Sequence, residues 1–243
     1  MKKTARGERC RWHADAWILL SAVLLILLFL TSELLHHTSE HPNHLSAFLR
    51  AFAALPPIAL LYLGGVLRKK RLPASRVLHI ATVVAFAMYL YLLINFTLLD
   101  VALGRWSDKV YAGMDDRRSY YMAHFVNFKP LSSIWNVYIR GFINGRVHAY
   151  YVALNLLGNL CAFMPFALLL PCFFKAQRRW YIFLATMLLA VIAVESAQLL
   201  FMVGSCDVDD LILNAGGAMI AFGILRIPVL KKLTDRFYSA VSR

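Results

Sequence analysis

The sequence predicts an all-α fold: a polytopic membrane helix bundle of six transmembrane helices, plus an amphipathic helix at its outer interface. Three observations carry this. Of 243 residues, 60% are hydrophobic and only 16% charged, whereas soluble domains run to roughly 25% charged. The apolar residues gather in charge-poor runs close to the roughly 20 residues a helix needs to cross a bilayer. The basic residues collect in alternate loops between these runs, which is a topology signal. The net charge of +13 therefore implies no nucleic-acid partner.

The first span is Ala16–Leu35. A basic stretch precedes it, as in a secretory signal, but the apolar run is long and Thr31–Leu35 offers no small-residue cleavage site. It reads as a signal anchor, with a cleaved signal as the alternative. The second span, Ala47–Leu67, contains Pro56-Pro57, which predicts a kink. The remaining spans are Leu78–Leu99, Tyr151–Phe174, Trp180–Val203 and Leu211–Leu230. Residues 1–77 form an N-terminal extension with two spans, 78–225 a four-span domain, and 226–243 a basic tail. The N-terminal tail, the second and fourth loops and the C-terminal end hold 18 of the 26 basic residues. Positive-inside then predicts a multi-pass cell-membrane protein with both termini cytoplasmic.

The long outer loop carries apolar residues at Leu131, Ile134, Trp135, Tyr138, Ile139, Phe142 and Ile143. This is helical spacing, with Ser132, Ser133, Asn136 and Arg140 on the other face. The segment lies on the outer leaflet or caps the bundle as a lid.

Polar residues in hydrocarbon are costly and face a bundle interior or cavity. Here they cluster by depth. At 1.5 Å per helical residue, Asn155, Gln198 and Asn214 lie about 5–7 Å below the outer ends of their spans, and Asn159 and Glu195 about 12 Å. Asn155/Asn159, Glu195/Gln198 and Asp210/Asn214 are spaced to share helix faces. Gly158, Ala197, Gly216 and Gly217 allow close helix approach. The cluster predicts an outward polar pocket floored by Glu195, with Asp207, Asp209 and Asp210 at its rim. Glu195 is either a functional ionisable group or interhelical glue held by Asn159 and Gln198. The three aspartates suit capping of the last span better than a cation site. The histidines of the 36–44 loop and the four cysteines match no metal spacing. No metal, no cofactor and no structural disulfide is expected.

The chain resembles the VanZ-like family. The resemblance rests on Asn155, Asn159 and Pro165 in one span, then Glu195 and Gln198 in the next. Asp207, Asp209 and Asp210 follow, then Leu211–Asn214 and Gly216-Gly217. Upstream, Asn127-Phe128-Lys129-Pro130 with Ile134 is similar to the family's Asn-x2-Pro-x3-Ile turn, and Thr97-Leu98-Leu99 to its Thr-Leu span end. Cys206 stands where many members carry an aromatic residue. The resemblance implies a bacterial membrane protein of cell-envelope biology, linked to glycopeptide (teicoplanin) resistance, and implies no reaction.

Three function classes follow. The favoured one is a non-enzymatic protein whose outward pocket binds a lipid-linked envelope precursor or an amphiphilic antibiotic among membrane lipids. The first alternative is a membrane enzyme acting on an envelope lipid or glycan precursor, with Glu195 as general acid or base. No nucleophile with an adjacent base accompanies it. The second alternative is a transporter, which would need polar groups at the cytoplasmic half as well.

Overall fold

The computed structural model describes residues 55–67, 76–99 and 116–241, and separate helical positions between 16 and 31. Of the first span, only those positions can be placed. Ser21 donates from Oγ to the Pro57 carbonyl at 2.7 Å. Helix α1 (Leu55–Leu67) holds Pro56 and Pro57 in its first turn, where a missing N–H is tolerated. Residues 47–54 lie outside the described residues, as do the 36–44 histidines, Cys10 and Asp100, and the kink expected at Pro56-Pro57 would be formed with that undescribed stretch.

Helix α2 (Arg76–Ile94) widens into a π-helical turn, Asn95–Leu99. Asp116 caps α3 (Arg117–His124) by accepting from the Ser119 amide. The chain then forms the short strand β1 (Val126–Asn127), a turn with Leu131 at φ +61°, and a π-helical segment Ser133–Ile139 running into α4 (Arg140–Ile143). The wider π winding departs from the regular amphipathic helix expected over 131–143. Leu131 precedes the helix instead of opening it. Ile134, Tyr138 and Ile139 are half-buried, while Trp135, Phe142 and Ile143 are exposed, Ile143 by 73%.

The fourth span is two helices rather than the single one expected over 151–174. Helix α5 (Ala149–Ala162) breaks at Phe163–Pro165 and resumes as α6 (Phe166–Phe173). Pro165 cannot donate, and the Phe166 amide bonds Phe163 instead of Ala162. The freed Ala162 carbonyl is taken by the buried Tyr89 hydroxyl at 2.7 Å. Within α6, Pro171 leaves the Ala167 carbonyl without its helical donor, and the Tyr238 hydroxyl supplies one at 3.3 Å. A 3-10 turn (Lys175–Arg178) leads to α7 (Trp180–Phe201), which ends at left-handed Met202.

After β2 (Cys206–Asp207), α8 (Val208–Ile224) packs most extensively on α5 and then α7. Phe183, Met187 and Val191 form one buried stripe of α7, and Phe183 stacks on Phe222 with ring centroids 4.5 Å apart. A Cβ on Gly217 would land on the Leu160 carbonyl, so only glycine lets α8 lie against the α5 backbone here. Gly216, expected to act likewise, faces open space.

The expected sixth span, 211–230, is corrected. The helix starts at Val208 and stops at Ile224, and the chain turns by 94° into α9 (Pro228–Val241). The tail is thus a helix that lays Thr234, Phe237, Tyr238 and Val241 against α1, α2 and α6. Thr234 meets the Tyr62 hydroxyl at 3.2 Å. Among the described residues, three stretches (Leu78–Leu99, Val152–Phe173 and Trp180–Phe201) are long and apolar enough to cross a membrane, and the bent pair α8–α9 makes up to four.

Candidate functional site

The site is built where two loops meet at one end of α7 and α8. Residues 126–127 pair in parallel with 206–207, in the register Val126–Cys206 and Asn127–Asp207. The Cys206 amide adds a bond to the Phe125 carbonyl at 2.9 Å. This bridge brings together two sequence motifs about eighty residues apart, the Asn127–Ile134 turn and the Asp207–Asp210 run.

Asp209 is the centre of the junction and is only 1% exposed. Its carboxylate accepts from the backbone amides of Leu131, of Ser133 at 2.8 Å and of Ile134 at 3.0 Å. These amides belong to the left-handed turn and the first turn of the following helix, whose donors lack intrahelical partners. A buried carboxylate is stable only when paired or fully hydrogen-bonded, and here backbone dipoles supply the bonds.

Asp207 is the N-cap of α8, accepting from the Asp209 amide at 2.9 Å. The same carboxylate accepts from Asn127 Nδ2 at 3.1 Å and from the Ser133 hydroxyl. Asn127 also turns its own Oδ1 to the Lys129 amide at 3.0 Å, an Asx turn leading into Pro130. The expected capping role therefore falls to Asp207. Asp209 instead clamps the opposite loop, and Asp210 accepts from Asn159 Nδ2 on α5.

The other expected site residues bond to this acidic segment or to its frame. Glu195 on α7 accepts from the Asp207 amide at 2.9 Å, while Asn159 and Gln198, expected to hold it, give their side-chain amides to Asp210 and to the Thr97 carbonyl. Asn214 donates to the Asp210 carbonyl at 2.8 Å. The Gln198 side chain donates to the Thr97 carbonyl in the π turn at 3.0 Å, and the Gln198 backbone carbonyl accepts from the Tyr121 hydroxyl at 3.2 Å. Asn155 is half-buried, one turn before Asn159. Among the described residues, the buried side-chain oxygens of Gln198 and Asn214 have no protein donor. The Cys206 thiol is buried beside Glu195. Burial first, then the Glu195 and Asp207 charges, push it up to about 11. No three His, Cys, Asp or Glu side chains converge as a metal site among the described residues.

Residues 86–230 match a family model described as VanZ/LLP1. The chain belongs to the VanZ/LLP1 family. No curated protein and no solved structure matches it. The match spans both loops of the junction, so in this VanZ/LLP1 protein the Asn-Phe-Lys-Pro turn and the Asp-rich turn are two halves of one hydrogen-bonded unit. Leu131, Ser133 and Asn127 were missed as site residues because each is unremarkable alone. The available signal was the Asn-x-Lys-Pro turn with serine three residues beyond the proline.

Proposed function

We propose that this VanZ/LLP1 membrane protein binds an amphiphilic, lipid-linked molecule of the cell envelope at the outward end of its bundle, and does not transform it. The observation that carries this reading is the use made of the acids. Asp207 and Asp209 spend their oxygens on holding the 127–134 turn, which leaves them ill-suited to chemistry or to a cation. What they hold in place is an arm with exposed Phe128, Leu131, Trp135, Phe142 and Ile143 beside exposed Lys129, Arg140 and Arg146. Arg140 lies 5.9 Å from the Trp135 ring centroid. Such a mixture suits a molecule with an apolar chain and an anionic head at the membrane interface.

The amide oxygens of Gln198 and Asn214, buried without protein donors among the described residues, support a polar ligand group in the proposed pocket of Asn155, Asn159, Glu195, Gln198, Asp210 and Asn214. Both termini are cytoplasmic in this proposal, and a part in glycopeptide resistance is its phenotypic side. The test is mass spectrometry of lipid extracted from purified protein. One envelope lipid enriched over the bulk membrane, and lost from Trp135→Ala/Arg140→Gln protein that still folds, is expected. An extract matching the bulk membrane would contradict binding. A chemically altered lipid after incubation would favour the enzyme.

A further inference from the structure

The opposite end of the bundle holds an arginine pair that the proposed pocket does not use. Arg178 closes the 3-10 turn between α6 and α7, and Arg226 sits in the bend between α8 and α9. They are brought together by a direct bond, Arg226 Nη2 donating to the Arg178 carbonyl. Arg178 gives Nε to the Pro171 carbonyl at 3.3 Å and lies over the Tyr238 ring at 4.8 Å. Arg226 gives Nη1 to the Phe222 carbonyl at 3.4 Å and stacks on that ring at 3.2 Å.

Every acceptor here is a backbone carbonyl or a ring face. Among the described residues neither guanidinium makes an ion pair. The charge of exposed Asp235 bears on Arg226 without pairing with it. Both charges bear on the Tyr238 hydroxyl, so two half-buried cations share one neighbourhood, which is unfavourable unless an anion joins them. Both terminal amino groups of Arg178 remain without a protein acceptor among the described residues, and a guanidinium fork matches phosphate oxygens. Exposed Trp180 and Tyr181 adjoin the pair at the end of the 180–201 span, the ring types found at headgroup level.

We propose that Arg178 and Arg226 form a binding site for the phosphate headgroup of an anionic phospholipid in the adjoining leaflet. The bound lipid ties the α6–α7 connection to the α8–α9 bend.

The whole protein in detergent, titrated with phosphatidylglycerol or phosphatidylcholine and read by native mass spectrometry, tests this. Phosphatidylglycerol is expected to be retained and phosphatidylcholine not. Arg178→Gln should weaken retention by about tenfold, the effect of losing one charge-assisted hydrogen bond. Lys231→Gln/Lys232→Gln, which removes charge from the exposed face of α9, should leave it unchanged. If Arg178→Gln does not fold, Arg178→Lys keeps the charge but not the fork, and should still retain less lipid. Equal retention of both lipids, equal loss in the Lys231/Lys232 variant, or full retention by Arg178→Lys would overturn the site. Displacement of the lipid by millimolar inorganic phosphate would assign the pair to free phosphate and overturn the lipid.

Discussion

Asp209 and Asp207 differ by two positions in sequence and by role in the structure. Asp207→Asn keeps a cap oxygen for the Asp209 amide and an NH2 that Ser133 Oγ can accept, so little stability should be lost. Asp209→Asn sets an NH2 against backbone N–H donors. Each buried donor left unmatched costs about 1–3 kcal/mol, so the expected result is a lower thermal midpoint for Asp209→Asn and a near-normal one for Asp207→Asn. Equal tolerance of both would refute the clamp.

Cys206 gives a pH test. Its thiol ordinarily titrates at 9.0 and here is pushed up to about 11, so the folded protein holds the proton that the unfolded chain releases. This contribution to stability is complete below pH 9.0 and is lost between there and about 11. In a background without the other cysteines, alkylation should be slow at pH 8 and rise up to about pH 11. Glu195→Gln should shift that rise to lower pH. A rise complete by pH 9 in the otherwise unaltered chain would contradict the described environment.

At the scale of elements, glycines and prolines decide where helices touch and break. Gly217→Ala forces a methyl onto the Leu160 carbonyl and should separate α8 from α5, with loss of folded protein. Gly216→Ala meets nothing within 4 Å and gains about 0.5–1 kcal/mol of helix propensity. Thermal melts of the two variants should therefore move in opposite directions. The α2, α5–α6 and α7 segments were legible because their apolar runs are long. The break at Pro165 was not drawn, because an apolar run looks continuous whether or not the backbone inside it is. The 94° bend did carry a signal, because Arg226 and Pro228 interrupt the run Leu225–Leu230 and a proline turns a helix away at the residues before it. The polar residues were singled out by depth, but their partners were not. Backbone amides carry no sequence signal, and the amides of Leu131, Ser133 and Ile134 are what Asp209 binds.

For the whole molecule, the junction of the two loops is the feature that joins family, fold and proposed function. It fixes an apolar and basic arm on one end of the bundle, while the arginine pair and α9 close the other. In the proposed topology, with both termini inside, reporter fusions at Lys70 and Arg178 should read cytoplasmic and fusions at Met114 and Asp207 external. An external C-terminus would invert the assignment of both ends. The most direct test of the junction is amide hydrogen exchange on the full-length protein. The account predicts that the amides of Leu131, Ser133 and Ile134 are protected in the native chain and exchange freely in Asp209→Asn, while α7 amides stay slow in both. Native-chain exchange at these three positions at the rate of the unfolded chain would contradict it.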